Sequence, residues 1–398
     1  MRWFTFRNDS GPPSAGAAPA GEVKERHATW VELFFDLVFV AAVSRLATNL
    51  DHDYTPSGLL RFAAVFFPVW WAWIGHTFYL TRFDTGDIRH RLLTILQIAG
   101  VGAMVVTISG ALGPTSAAFA LSYAAVRFLL VVSYLVSVRR LPAARPLVAR
   151  FVTGFGAAAA LWAVSALVPP PWRFAVWGLA MVVDVLAPLT AGDLHAAVPP
   201  HPMHLPERFG LFTIIVIGEQ VVAVMASVGA GAATPASVLA GAVGFAMASA
   251  YWWGYFEGAR GARTLVLRSG RMVMLYHQWL YAHLPLVMGI VSTAVGIRLV
   301  VPAPNAPLPG AGALILCLSV AATMLSLAAI SFSSCRARRL PRVRRNLAMQ
   351  LAAAALAGGL GLLGPRLPGL VLLAVLAALC IAQVLIFPRR PGDEGESC

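Results

Sequence analysis

The 398-residue sequence predicts an all-α fold, a polytopic membrane bundle of about 12 transmembrane helices, arranged as two tandem six-helix halves. Three observations predict it. Hydrophobic residues make up 59% of the chain and charged residues 12%, with a mean hydropathy of +0.75, well outside the range of water-soluble domains. Apolar runs of about 20 residues, enough to cross a hydrocarbon core roughly 30 Å thick, recur along the chain. Lys and Arg crowd into alternate segments between those runs, the asymmetry that orients membrane helices.

In chain order, residues 1–29, with "SGPPSAGAAPAG", read as a disordered cytoplasmic arm rather than a signal peptide. The first half, 30–194, holds spans near 30–50, 58–80, 92–112, 115–138, 147–168 and 172–194. A cytoplasmic linker, 195–207, leads to the second half, 208–387, with spans near 208–228, 235–257, 272–297, 311–335, 346–364 and 367–387. A cytoplasmic tail, 388–398, ends the chain. The weakest separations are "GPT" (Gly113 to Thr115) and "GPRLPG" (Gly364 to Gly369), where merging would lower the count towards ten.

Of the 30 basic residues, 24 fall on the side that carries both termini, which predicts a cell (inner) membrane protein with cytoplasmic N- and C-termini. The net charge of +13 then reflects topology and contact with anionic inner-leaflet lipids, each nearby basic residue contributing about 1 kcal/mol. Nucleic-acid binding by "CRARRLPRVRR" (Cys335 to Arg345) is not expected, since the segment is a short tether between two spans. Cys317, Cys335, Cys380 and Cys398 have neither metal-ligand spacing nor a disulfide-permissive setting, so no metal and no cofactor are expected.

Laid on itself at an offset of about 182 residues, the chain sets "FFDLVFVAAV" (Phe34 to Val43) against "IIVIGEQVVAV" (Ile214 to Val224), with Asp36 on Glu219. The Trp70–Trp71 pair then meets Trp252–Trp253, and Arg89 meets Arg271. Six spans per half would give both halves one orientation, related by an axis along the membrane normal.

Charges inside the spans are the functional candidates, because each costs at least ~2.5–3.5 kcal/mol at the bilayer centre. With ~1.5 Å of rise per residue, Glu32 lies at the interface, Asp36 about 9 Å inside and Arg45 about 22 Å inside. Glu32 and Asp36 are four apart and share a face; Arg45 points the other way. Arg127, Asp184, Glu219 and His283 all fall about 16 to 18 Å deep, which predicts that they face one another or water. One cation with two carboxylates leaves a negative surplus suited to holding a proton or cation. The plain alternative is a strut, Arg127 pairing with Asp184 or Glu219 while His283 bonds a neighbouring carbonyl. Asp36, His76 and His277 share the cytoplasmic third, without a known zinc spacing. The aromatic "FFPVWWAWIGHTFYL" reads as packing and interfacial anchoring. Asp87 can serve as the N-cap of the third span.

Four stretches carry a family resemblance: "VELFFDLVFV" (Val31 to Val40), "TRFDTGDIRHRLL" (Thr81 to Leu93), "HLPERFGLFTIIVIGE" (His204 to Glu219) and "YAHLPLVMGIV" (Tyr281 to Val291). Together they resemble the bacterial low temperature requirement protein A (LtrA) family. The resemblance implies a multi-pass bacterial membrane protein of unestablished activity. It puts emphasis on Glu32, Asp36, Asp84, Asp87, Arg91, Glu207, Arg208, Gly218, Glu219 and His283, with Asp84, Asp87, Arg91, Glu207 and Arg208 at the cytoplasmic mouth. "GEQ" stands where such proteins are expected to have "GES". Phe35-Asp36 in a first helix is also similar to the FSD-type potassium channels, though the serine is missing.

A proton- or ion-coupled transporter moving a small solute or ion through midplane carboxylates is the expected function. The alternatives are a cation channel and a membrane-stress or structural protein. An enzyme is not expected, because P-loop, dinucleotide and nucleophile-elbow motifs are not found.

Overall fold

A computed structural model describes residues 28–83, 87–201, 204–230, 233–257, 270–334 and 341–386. They form α1 (Trp30–His52), α2 (Pro56–Phe83), α3 (Ile88–Thr107), α4 (Ser116–Ser137), α5 (Arg145–Ser165), α6 (Trp172–Leu189), the short α7 (Leu194–Ala197), α8 (His204–Gly229), α9 (Pro235–Phe256), α10 (Gly270–Val300), α11 (Gly310–Ser334), α12 (Pro341–Leu363) and α13 (Gly369–Ile386). Among the described residues there is no strand, and each expected span coincides with one long helix. Ten helices are long and apolar enough to cross a membrane. Of the other two, α1 carries Glu32, Asp36, Arg45 and Asp51 along its 23 residues, and α13 is apolar but shorter. The Gly113–Thr115 segment and the 3₁₀ turn Gly364–Arg366 do separate helices.

Local sequence sets several helix starts. The Thr29 hydroxyl accepts from the Glu32 N–H ahead of α1, and Thr234 and Ser237 form a capping box with Pro235 in the first turn of α9. Two boundaries depart from expectation. The chain leaves α6 at Leu189 and turns through Gly192 at φ +49°, a conformation glycine adopts without a Cβ clash. The expected linker 195–207 is partly helical, because α8 begins at His204. Pro206 lies in its first turn, where a missing N–H costs nothing. Glu207, expected in the linker, and Arg208, expected at the mouth of the span, both lie within the first turns of α8 with His204.

The centre of the bundle is α1, which packs on α2, α3, α8 and α10, while α2 also meets α4, α8 and α10. Helices α3 to α6 pack as successive neighbours, as do α10 to α13, and α13 returns onto α9. The α10–α11 seam is tight because glycine faces it: a Cβ on Gly289 would come 2.9 Å from the Ser319 carbonyl oxygen, and one on Gly296 2.8 Å from Leu316 Cβ. Large apolar side chains such as Val106, Leu167, Val222 and Leu362 turn outward. Glu32, Asp36, Arg127, Asp184, His204 and Arg208 are buried, the partition that lipid imposes.

Candidate functional site

The α1–α8 seam joins two i, i+4 pairs: Glu32 and Asp36 from one helix, His204 and Arg208 from the other. Arg208 holds Asp36 in a fork, Nη1 to Oδ2 at 2.8 Å and Nη2 to Oδ1 at 2.8 Å. Its Nε lies 3.7 Å from Glu32 Oε2, which also receives His204 Nε2 at 2.9 Å. On the other side of that ring, Nδ1 is 3.6 Å from Glu207 Oε2. The Trp73 indole N–H of α2 donates to Asp36 Oδ1 at 2.8 Å. Asp36, His204 and Arg208 are 0% exposed and Glu32 2%, so two carboxylates meet one arginine and one histidine almost out of reach of water, while Glu207 is one-third exposed at the edge. Beside the cluster Phe209 packs edge-on against Trp73 and Trp279, with ring centroids 5.0 Å away in each case, and this fixes α8 between α2 and α10.

A second buried ion pair lies in the first half. Arg127 Nε donates to Asp184 Oδ2 at 2.7 Å, and the Tyr123 hydroxyl donates to the same oxygen at 2.8 Å. The guanidinium sits between Tyr123 and Phe155, 5.5 and 5.2 Å from their ring centroids. Gly75 makes room for it, since a Cβ there would collide with Arg127 Nη1.

The four charges expected to face one another at one depth do not gather. Arg127 and Asp184 pair one to one, so no negative surplus arises there. His283 is held elsewhere: its Nδ1 donates to the Trp279 carbonyl at 2.7 Å and its Nε2 accepts from the Tyr255 hydroxyl at 3.0 Å. Glu219 is half-buried in the fifth turn of α8, within electrostatic range of Asp51, which pairs with Arg298 at 2.8 Å. Equal depth did not imply a shared face, because each helix presents its charge in its own direction. Nor do Asp36 and Glu219 match in depth, since Asp36 lies in the second turn of α1. Gly218 serves neither a close approach nor a helix break: a Cβ there would meet nothing within 4 Å, and α8 runs unbroken past it.

Arg45 is exposed on the outer face of α1. His76 stacks on Phe35 at 4.1 Å, and neither ring nitrogen has a hydrogen-bond partner among the described residues. No group of three or more His, Cys, Asp or Glu side chains placed for a metal ion occurs among the described residues. Asp84 lies outside the described residues. Asp87 caps α3, accepting from the His90 N–H at 2.8 Å and from Arg140 at 2.6 Å. Those contacts hold its carboxyl below the usual carboxylate range. Arg91 is exposed.

Sequence reasoning missed His204, although its spacing to Arg208 repeats that of Glu32 to Asp36. It also missed a cleft of about 510 Å³ between the first-half helices and α10, where Arg82, Arg127, His195 and His277 meet aromatic walls. At its rim Arg82 Nη2 donates to His195 Nδ1 at 3.1 Å, and His195 Nε2 donates to the Pro188 carbonyl at 2.9 Å. Burial and the adjacent Arg82 push the His195 pKa down to about 4. The α2 helix divides the two features: Trp71, Gly75, Phe78 and Arg82 face the cleft, and Trp73 on the opposite face meets Asp36.

The family model of the bacterial low temperature requirement A protein (LtrA) matches residues 27–385, nearly the whole bundle and both sides of the α1–α8 seam. The chain belongs to the LtrA family. The match extends beyond the four stretches that first suggested it and includes α11, α12 and nearly all of α13. A Rhizobium meliloti (strain 1021) protein described as uncharacterized is 29% identical over 301 residues, covering 69% of this chain and 73% of the relative.

Proposed function

We propose that this LtrA-family membrane protein is a proton-coupled carrier in which the Glu32–Asp36–His204–Arg208 cluster is the proton-binding element. The observation that supports the reading is the cluster of titratable side chains in the α1–α8 seam, where Glu32, Asp36, His204 and Arg208 meet at 2% exposure or less. In such a setting the gain or loss of one proton changes the balance of every neighbouring pair, which suits a proton-binding element. Arg208 occupies both oxygens of Asp36, which leaves the Glu32–His204–Glu207 side as the place where a proton is gained and lost. That occupancy also weighs against a cation pathway centred on Asp36. The cluster touches α1, α2 and α8, three helices at the bundle centre, so its protonation bears on the contacts that a rocking motion between halves would change.

The test is reconstitution in liposomes containing a pH dye and a membrane-potential dye, with amino acids, organic acids and organic cations imposed as gradients. Solute-dependent proton movement is expected, and Glu32→Gln should abolish its pH dependence while the protein stays folded. Large potential-driven cation flux without solute would favour a channel, and pH-dependent flux unchanged by both Glu32→Gln and His204→Gln would reject the assignment.

A further inference from the structure

The cleft between α2, α4, α5 and α10 is built for an anion on an apolar body. Its floor is Arg127, whose Nε is taken by Asp184 while Nη1 and Nη2 have no hydrogen-bond partner among the described residues, although the side chain is 0% exposed. A buried guanidinium with two idle terminal nitrogens is suited to an oxyanion, because its fork geometry matches two oxygens of a carboxylate, sulfonate or phosphate. Among the described residues, those lining the cleft include Arg82, His195 and His277 but neither Asp nor Glu. Asp184, the carboxylate that meets Arg127 among the described residues, engages Nε and leaves the two terminal nitrogens without a partner.

The walls suit a flat apolar body. Trp71 and Tyr281 lie nearly parallel on one side, 13° apart with centroids separated by 6.2 Å, and Phe151 and Phe155 are stacked on another at 5.3 Å. Arg82, fixed by its Nε donating to the Val198 carbonyl at 2.9 Å and lying over the Phe78 ring, stands at the rim. Gly75, beside Arg127, and Arg82 are seven residues apart on α2, about 10 Å along the helix, which places one cation at each end of the cleft.

We propose that this cleft binds a small organic anion, its acid group on Nη1 and Nη2 of Arg127 and its planar apolar body between the aromatic walls. The inference rests on the carrier reading only in making this ligand the transported substrate. The chemistry, an anionic head on an apolar body, is shared by soluble aromatic acids and by anionic phospholipids.

Binding of naphthalene-2-sulfonate and of its neutral analogue naphthalene-2-sulfonamide to the full chain is measured by titration calorimetry in phosphatidylcholine nanodiscs. One saturable site per chain is expected for the sulfonate, with the sulfonamide at least tenfold weaker. Removing the ion pair as a unit, in Arg127→Gln with Asp184→Asn, avoids a stranded charge and should weaken the sulfonate at least tenfold. Arg82→Gln, which leaves that pair intact, should weaken it several-fold. Repeating the titration in nanodiscs containing phosphatidylglycerol separates the sources: unchanged binding supports a soluble acid, and competition supports a lipid head group in the same site. Equal affinity for the sulfonamide, no saturable site, or full binding by the folded double variant would overturn the proposal. Equilibrium binding needs no proton movement, so binding without coupled flux rejects the carrier alone. Coupled flux without binding rejects only this ligand class.

Discussion

Arg208 clamps Asp36 through both terminal nitrogens, each 2.8 Å from a different carboxylate oxygen, and so ties α8 to α1 in the middle of the bundle. Both side chains are 0% exposed, so neither is stabilised by water if its partner is removed. Arg208→Gln is expected to destabilise the fold by about 3–5 kcal/mol, because Asp36 is left buried without a cation, and Asp36→Asn by less, because Arg208 keeps Glu32 3.7 Å away. The double variant should recover part of that loss, with a coupling energy on the order of 0.5–3 kcal/mol. Unfolding midpoints of the four proteins in one detergent test this, and additive losses would mean that the pair does not act as a unit.

The Asp87 side chain makes a different contact, capping α3 and reaching Arg140 beyond α4. Asp87→Ala should lower the unfolding midpoint, the usual effect of losing an N-cap. Arg91→Gln, at an exposed site, should change stability by less than about 0.5 kcal/mol. With the folded carboxyl held low, the Asp87 contribution is complete above its unfolded value of about 3.9 and fades as pH falls through the folded value. Thermal unfolding of the wild type and Asp87→Ala should therefore converge in strong acid.

His195 titrates in a separate window. It lies in the connector between α6 and α8, with Nδ1 accepting from Arg82 and Nε2–H donating to Pro188, so a second ring proton would replace an acceptor with a donor beside a guanidinium. Its pKa of about 4 against an unfolded value of about 6.5 means that the unfolded chain takes up the proton first. Stability from this group is complete above about pH 6.5 and declines as pH falls towards 4, by on the order of 1–3 kcal/mol. His195→Gln should flatten that part of the stability–pH curve, and an unchanged slope would show that another group causes it.

The helices were legible because lipid exposure demands apolar runs of fixed length, and each run became one helix. The acidic pair Glu32–Asp36 was legible too, since i, i+4 spacing within one helix fixes a shared face. What spacing along one chain cannot give is the rotation of one helix against another. Depth alone grouped Arg127, Asp184, Glu219 and His283, yet only the first two meet. His204 was obscured for another reason: beside Pro206 it falls in what reads as a linker, and only the earlier start of α8 sets it on the face from which Arg208 meets α1. The cleft left no sequence signal, since its lining residues come from distant helices and read singly as packing aromatics.

Two glycines test that distinction between depth and direction. Gly75 faces Arg127 so closely that a Cβ would strike Nη1, and Gly75→Ala should displace the guanidinium and destabilise the protein by about 1–3 kcal/mol. Gly218 has no atom within 4 Å of an added Cβ, and Gly218→Ala should be neutral or stabilising by up to about 1 kcal/mol through helix propensity. A marked loss in Gly218→Ala would indicate a close contact at that face.

Glu219 and Arg127 give the remaining contrast. Arg127 is committed to Asp184 and Tyr123 in the first half, whereas Glu219 lies half-buried on α8 in the neighbourhood of Asp51 and Arg298. Sites without shared partners add within about 0.3–0.5 kcal/mol, so Glu219→Gln combined with Arg127→Ala should lose the sum of the two single changes. Arg127→Ala alone should lose about 3–5 kcal/mol, because it strands Asp184, and adding Asp184→Asn should restore part of that loss. If Glu219→Gln instead rescues Arg127→Ala, the two charges are linked and the separation of Glu219 from the first-half ion pair is wrong. The measurement is chemical or thermal unfolding of the single and double variants in one lipid–detergent mixture. Glu219→Gln should also leave any solute-coupled proton movement pH-dependent, while Glu32→Gln removes that dependence.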